Sequence, residues 1–369
     1  MAYNLYFDNA STSFPKPKAL ENAALSYIRR GGNYGRASYV RAVENVRVVE
    51  CCRDTLGELL GVDANNIVFT KNATEASNVV LHSLDLHGKK VLVSPLEHNA
   101  VMRVLLHCGA DVEIMPHLLD GAICLEKLKQ RCEKGDVALV CVNHVSNVNG
   151  VVQPLSLIAE IVERCKIKLF VDASQSIGVY DIYPADYIIF TGHMALYGSS
   201  GIGGFYARDI TSISPYLYGG TGSNSDSYEM PDYAPDKFEA GTANIIGIEM
   251  LLAALQNRPE PQHTKEDFLE VLARIEKIDG IVLYRSNDLK MQAELFSIQH
   301  IRINVSDLAQ SIYDNYGFEV RKGLHCAPLA HKTLGTFSEG TVRFSLSAYH
   351  TAEDLNYLCN SLEELCAIL

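Results

Sequence analysis

The chain alternates short, continuously apolar runs with longer stretches of helical periodicity. The runs are "NIVFT" (66–70), "KVLVSP" (90–95), "DVEIMP" (111–116), "VALVCVNHV" (137–145), "IKLFVDAS" (167–174), "ADYIIFTG" (185–192) and "GGFYAR" (203–208). Strands buried on both faces read this way, without polar alternation. Helix-length stretches lie between them at 75–86, 98–108 and 154–165. In the second, Val101, Val104 and Leu105 share one face. In the third, Pro154 suits a first helical position, and Leu157, Ile158 and Ile161 follow at helical spacing. Strands separated by helices predict an α/β fold with a largely parallel sheet covered on both faces.

The pattern changes after about residue 258. "NRPEPQHTKED" (257–267) is polar and carries prolines, as a lobe boundary does. Beyond it the sequence predicts a helix over 267–277 and strands near 281–286, 295–304 and 341–347. A final amphipathic helix covers 351–369, striped by Leu355, Leu358, Leu362 and Leu365. This part reads as a smaller α+β lobe.

Charge narrows the function classes. The net charge is −12, from 44 acidic and 32 basic residues, which argues against nucleic acid as a partner. A local basic pocket for a small anion stays open. The N-terminus lacks the basic and apolar regions of a secretory signal, and no apolar run approaches the roughly 18–20 residues of a membrane span. The ten cysteines form no CxxC pair, and most fall in apolar patterns as small buried hydrophobes do. The expectation is a cytoplasmic protein with no disulfide framework, no membrane partner and no metal site.

Candidate chemistry clusters where the predicted strands end, the edge at which open parallel sheets bind ligands. After "IVFT", Ala73 and Thr74 open a helix whose N–H groups suit a phosphate, although an N-cap threonine reads the same. His98 follows "VLVSP" and is either a helix-start residue or a stacker on a planar ring. Asn147 follows "VNHV", where a turn residue is equally at home. Asp172 and Gln175 follow "KLFV". A carboxylate at that buried end needs a turn amide, a helix N-terminus or a cation such as a pyridinium nitrogen. Thr191 and His193 end "IIFTGH" and are further phosphate donors.

Taken in order, these groups resemble the class V aminotransferases of pyridoxal phosphate (PLP) fold type I, in the cysteine desulfurase and selenocysteine lyase branch. The resemblance runs nearly end to end. "YFDNASTSFPKP" and "GNYGRAS" match early segments. "FEAGTANIIGI" and "VRKGLHCAPLAHKTLGT…GTVRFSLSAYHT" match later ones, and "YGGTGSNS" suggests a bacterial subgroup. The resemblance implies a large domain, 15–257, holding a mostly parallel seven-stranded sheet flanked by helices. It implies a smaller α+β domain from 1–14 and 258–369.

For the residues, it implies that Ala73, Thr74, Thr191 and His193 hold the PLP phosphate. His98 stacks on the ring, Asp172 pairs with the pyridine nitrogen, and Gln175 meets the ring hydroxyl. Asn147 lies between ring and substrate carboxylate. Arg343 grips that carboxylate as a fork, with Arg321 in support. Thr242 reaches the phosphate of a neighbouring subunit, which implies a homodimer with shared sites. Cys326, in "GLHCAP" near His325 and both arginines, takes sulfur or selenium from L-cysteine or L-selenocysteine as a persulfide and leaves L-alanine. A sulfur-acceptor protein would then collect it.

One position departs from the pattern. The family has lysine after Ser/Thr-Gly-His, and this chain has Met194. The family's lysine binds the cofactor and moves protons at the substrate Cα. A thioether can do neither. Lys71, Lys237, Lys322 and Lys332 lie in neighbouring motifs, but none stands at that strand end. Two origins fit Met194: a replacement made to stall the reaction, or a native residue in a homologue that binds PLP without turnover. Both predict almost no desulfurase activity in this chain. Another class V activity, such as transamination or a different lyase reaction, would not need Cys326.

Overall fold

The computed structural model describes residues 3–35, 37–183 and 185–369. Arg36 of the early glycine-rich loop, Pro184 and the first two residues lie outside it.

Two helices come first, α1 (Ala19–Arg30) and α2 (Val40–Leu60). The alternating segment follows: β1 (Ile67–Thr70), α3 (Ala73–His82), β2 (Lys90–Val93), α4 (Asn99–His107), β3 (Asp111–Ile114), α5 (Leu125–Cys132), β4 (Val137–Asn143), α6 (Leu155–Arg164), β5 (Lys168–Asp172), β6 (Tyr187–Thr191) and β7 (Gly203–Ala207). After α7 (Ile245–Gln256) come α8 (Lys265–Ile275), β8 (Ile281–Tyr284), β9 (Leu295–His300), α9 (Val305–Tyr316), β10 (Arg321–Gly323), α10 (Pro328–Thr333), β11 (Thr341–Ser345) and α11 (Ala352–Ile368).

The first seven strands make one sheet in the order β1-β7-β6-β5-β4-β2-β3. Only β7 runs against the others. Its Gly204 is required by a close approach, since a Cβ there would sit 2.5 Å from the Val68 carbonyl oxygen. Side chains alternate between two cores. Val91, Val93, Leu139, Cys141, Phe170 and Ile189 face α3 and α4. Leu92, Val140, Val142, Leu169, Val171 and Ile188 face the opposite helices, α2, α6 and α7. A sheet covered on both faces explains why its strands read as unbroken apolar runs.

The second sheet, β10-β11-β9-β8, is antiparallel. One of its faces packs on α8, α9 and α11, with the predicted leucine stripe of α11 buried there. The N-terminal segment joins this core through Leu5 and Phe7. Phe7 N–H bonds the Glu319 carbonyl and Ser345 N–H bonds the Phe7 carbonyl.

Three details differ from the sequence reading. Pro154 is the N-cap, and α6 begins one residue later. Leu157 is 46% exposed; Leu155, Ile158, Ala159 and Val162 form the buried face. The strand expected to reach 304 stops at His300, because Asn304 turns away to cap α9, its side chain accepting from Asp307 N–H.

Phe344 is fully buried, stacked 5.2 Å from Phe296 and edge-on to Phe7. Phe344→Ala should cost about 3–5 kcal/mol of unfolding free energy. A denaturant midpoint within error of the parent's would mean this core is not packed as described.

Candidate active site

The carboxyl ends of β4, β5 and β6 open onto a cavity of about 670 Å³, walled on other sides by the starts of α3 and α4, residues 10–11 and β10. Each wall follows from local chemistry. At α3 the N-cap is Asn72, whose side chain accepts from Glu75 N–H. Thr74 is therefore not spent on capping, and it lines the cavity with Ala73 at the helix start, where first-turn amides are available to a ligand. At α4 the cap is His98 itself: Nδ1 accepts from Ala100 N–H at 3.1 Å. That bond fixes the proton on Nε2 of a neutral ring. Burial lowers the His98 pKa below the usual histidine range, opposed by the Asp172 carboxylate.

Asp172 ends β5 almost fully buried, with Oδ1 accepting from Ser174 N–H at 2.9 Å. Beside it, fully buried Glu97 accepts from His98 N–H and Ser94 Oγ. Burial and the nearby Asp172 push Glu97 up to about 8, so it is protonated at neutral pH. Gln175 Nε2 donates to the Ala10 carbonyl at 2.8 Å and to Met194 Sδ at 3.2 Å. The thioether thus takes the hydrogen bond at the edge of the cavity, one residue past His193.

Among the described residues, four polar atoms of cavity-lining residues are buried without a partner: Thr191 Oγ1, His193 Nδ1, Asn147 Oδ1 and His325 Nδ1. Native interiors rarely tolerate this unless a ligand completes the set. Asn147 Nδ2 is already committed to the His325 carbonyl.

Other predicted residues sit elsewhere. Arg321 lines the cavity; its two terminal nitrogens donate to Ser11 Oγ at 2.7 Å and Cys326 Sγ at 3.5 Å. Arg343 does not line it. It is 0% exposed, bonded to the Asn147 carbonyl, Ser11 Oγ and, at 2.5 Å, Asp8. Burial lowers its pKa and Asp8 pushes it back. The carboxylate on Arg343 is therefore one of the chain's own.

Cys326 is exposed, on a bend where it and His325 both take left-handed backbone angles (φ 56° and 47°). Its carbonyl accepts from Asn99 N–H, docking the bend on the start of α4. His325 is no cation beside the thiol. Its ring is buried, bonded to Thr341 Oγ1, and burial drops its pKa to about 2. Thr242 lies on a separate cavity of about 820 Å³, which borders the first turn of α3 through Lys71 and Glu75.

Sequence reasoning missed Asp8, Ser11 and Glu97. The segment "YFDNAST" is legible as a block, but nothing in it marks which side chain meets an arginine over 300 residues away.

The aminotransferase class-V family model matches residues 5–358. The chain belongs to this family. A protein from Methanothermobacter thermautotrophicus described as a probable cysteine desulfurase is 30% identical, over 99% of this chain and 95% of its own length. The apo structure of the cysteine desulfurase from Thermococcus onnurineus superposes with a TM-score of 0.88 at 27% identity, covering 99% of this chain and 95% of that one. The Escherichia coli cysteine desulfurase gives 0.84 at 26% identity, with the same coverage. Members of this family use pyridoxal phosphate. The residues present fit that group. The unpartnered Thr191 and His193 atoms and the α3 amides suit a phosphate, and the Asp172 carboxylate suits a protonated ring nitrogen.

Two outcomes test the site. Thr191→Val removes one hydrogen bond to a charged group, so PLP affinity should fall about 10- to 100-fold by equilibrium dialysis; an unchanged Kd would remove Thr191 from the site. For His98, the lowered folded pKa means its contribution to stability is complete above pH about 6.5 and lost as pH falls through the lower folded value. Its NMR titration midpoint should lie below that of free histidine, and a midpoint above 6.5 would contradict the cap geometry.

Proposed function

We propose that this chain is a PLP protein of the cysteine desulfurase type, stalled at Met194. The Arg321–Cys326 contact carries the reading, because it links an exposed thiol to a guanidinium that lines the cofactor cavity. When bound, PLP would supply an electron sink for the pair released at the amino acid's Cα. Thr74, Thr191, His193 and the Ala73 amide would hold its phosphate. Asp172 would keep the ring nitrogen protonated, Gln175 would meet the ring hydroxyl, and the neutral His98 ring would pack on its face. Asn147 would orient the substrate.

In this reading Arg321 meets the substrate carboxylate directly. Arg343, neutralised by Asp8, backs it through the shared Ser11 hydroxyl. Cys326 would receive sulfur from L-cysteine, or selenium from L-selenocysteine, leaving L-alanine. Its exposure suits hand-over to an acceptor protein. Met194 has no amine to carry a proton to or from Cα. We further propose a cytoplasmic homodimer in which Thr242 reaches the partner's phosphate, with residues 15–257 and residues 1–14 plus 258–369 as its two domains. No helix among the described residues is long and apolar enough to cross a membrane.

The test measures alanine and sulfide from L-cysteine with added PLP. The chain as it stands should run at background, and Met194→Lys should gain about 100-fold or more, the scale of a positioned proton-transfer group. Adding Cys326→Ala to that variant should abolish sulfide but spare transamination or other lyase chemistry. Substantial turnover without the lysine would end the stalled reading, and no gain with it would end the enzyme assignment.

A further inference from the structure

We propose that Lys16 is the amine that tethers the cofactor in this chain, through a C=N bond from its Nζ to the aldehyde carbon of bound PLP. The inference rests on the PLP reading above. Lys16 belongs to the segment whose Ala10 and Ser11 wall the cavity. Its Nζ donates to the His193 carbonyl at 2.9 Å, to Ser13 Oγ at 2.8 Å and to Thr12 Oγ1 at 3.5 Å. The His193 carbonyl is one peptide from Met194. The same two segments are clamped again by Gln175, which bonds the Ala10 carbonyl and Met194 Sδ together. An amine is thus already stored against the strand end where the family keeps its lysine.

Nothing holds it there by charge. Among the described residues no carboxylate pairs with Lys16, so leaving breaks only hydrogen bonds to uncharged acceptors. Four methylenes give the side chain reach. Burial lowers its pKa to about 8 with no opposing contribution. At pH 7 roughly a tenth of such a group is uncharged, against roughly one in three thousand for an ordinary lysine. The other lysines near the site motifs are placed differently. Lys71 reaches Glu75, Lys237 the Thr211 carbonyl and Lys332 the Phe337 ring, while Lys322 is exposed on β10.

The bond-forming step balances without an oxidant or reductant. The uncharged Nζ adds its electron pair to the aldehyde carbon. Its two protons leave with the aldehyde oxygen as water, and C=N replaces C=O. The tether role asks nothing of Lys16 at the substrate Cα, so it coexists with absent turnover.

The full chain would be loaded with PLP, freed of excess, reduced with borohydride, digested and mapped by mass spectrometry. The reduced pyridoxyl label should sit on Lys16, and labelling should rise with pH through about 8. Lys16→Arg keeps a cation for the same acceptors but has no usable lone pair. It should keep its circular dichroism spectrum and lose the label, with PLP affinity at least tenfold weaker by dialysis. Lys16→Gln provides a second unlabelled variant. PLP retained without label, or labelled on another lysine, overturns the proposal while leaving the PLP reading intact. Retention by neither this chain nor Met194→Lys overturns both.

Discussion

A fully buried guanidinium, that of Arg343, holds together three parts of the chain that lie far apart in sequence. It projects from β11 of the smaller sheet, bonds the Asn147 carbonyl from the loop after β4 of the larger sheet, and pairs with Asp8 and Ser11 of the N-terminal segment. Removing one partner of such a buried pair costs about 3–5 kcal/mol, because the other charge is left without compensation. The cavity depends on that knot. Asn147, Ser11 and Arg321 take their places around it, and Arg321 in turn meets the Cys326 sulfur.

Local signals made most of the fold legible. Seven apolar runs became seven strands, because a doubly covered sheet demands apolar side chains on both faces. The helix stripes at Val101–Leu105 and Leu355–Leu365 were equally direct. What escaped was structure that only tertiary contact creates. β10 is three residues, Arg-Lys-Gly, with no strand propensity; it exists because it pairs with β11. α7 is apolar almost all round, so it shows no face to periodicity, and it is buried beneath the sheet against α1 and α2.

The site was legible as a set of residue types at strand ends, less so as a set of partners. Asp172, His98, Gln175, Thr191 and His193 do gather on one cavity. Arg343 has the right chemistry for a substrate carboxylate, but its sequence neighbours cannot reveal that Asp8 lies against it. Lys16 stands between Pro15 and Pro17, and no local pattern there singles it out. Its amine is held by the His193 carbonyl, 177 positions away. Long-range pairing decides what a charged side chain does, and a linear pattern carries no record of it.

The knot also sets an order of events during synthesis. Asp8 and Arg343 are 335 positions apart. At 5–20 residues per second, the ribosome needs roughly 17–67 s to make the second after the first. Through that interval the segment that walls the cavity has no β11 to lie against, although the larger sheet that forms the cavity's floor is complete in sequence once Ala207 is made. The chain therefore makes the keystone of its binding site almost first and can set it only near the end.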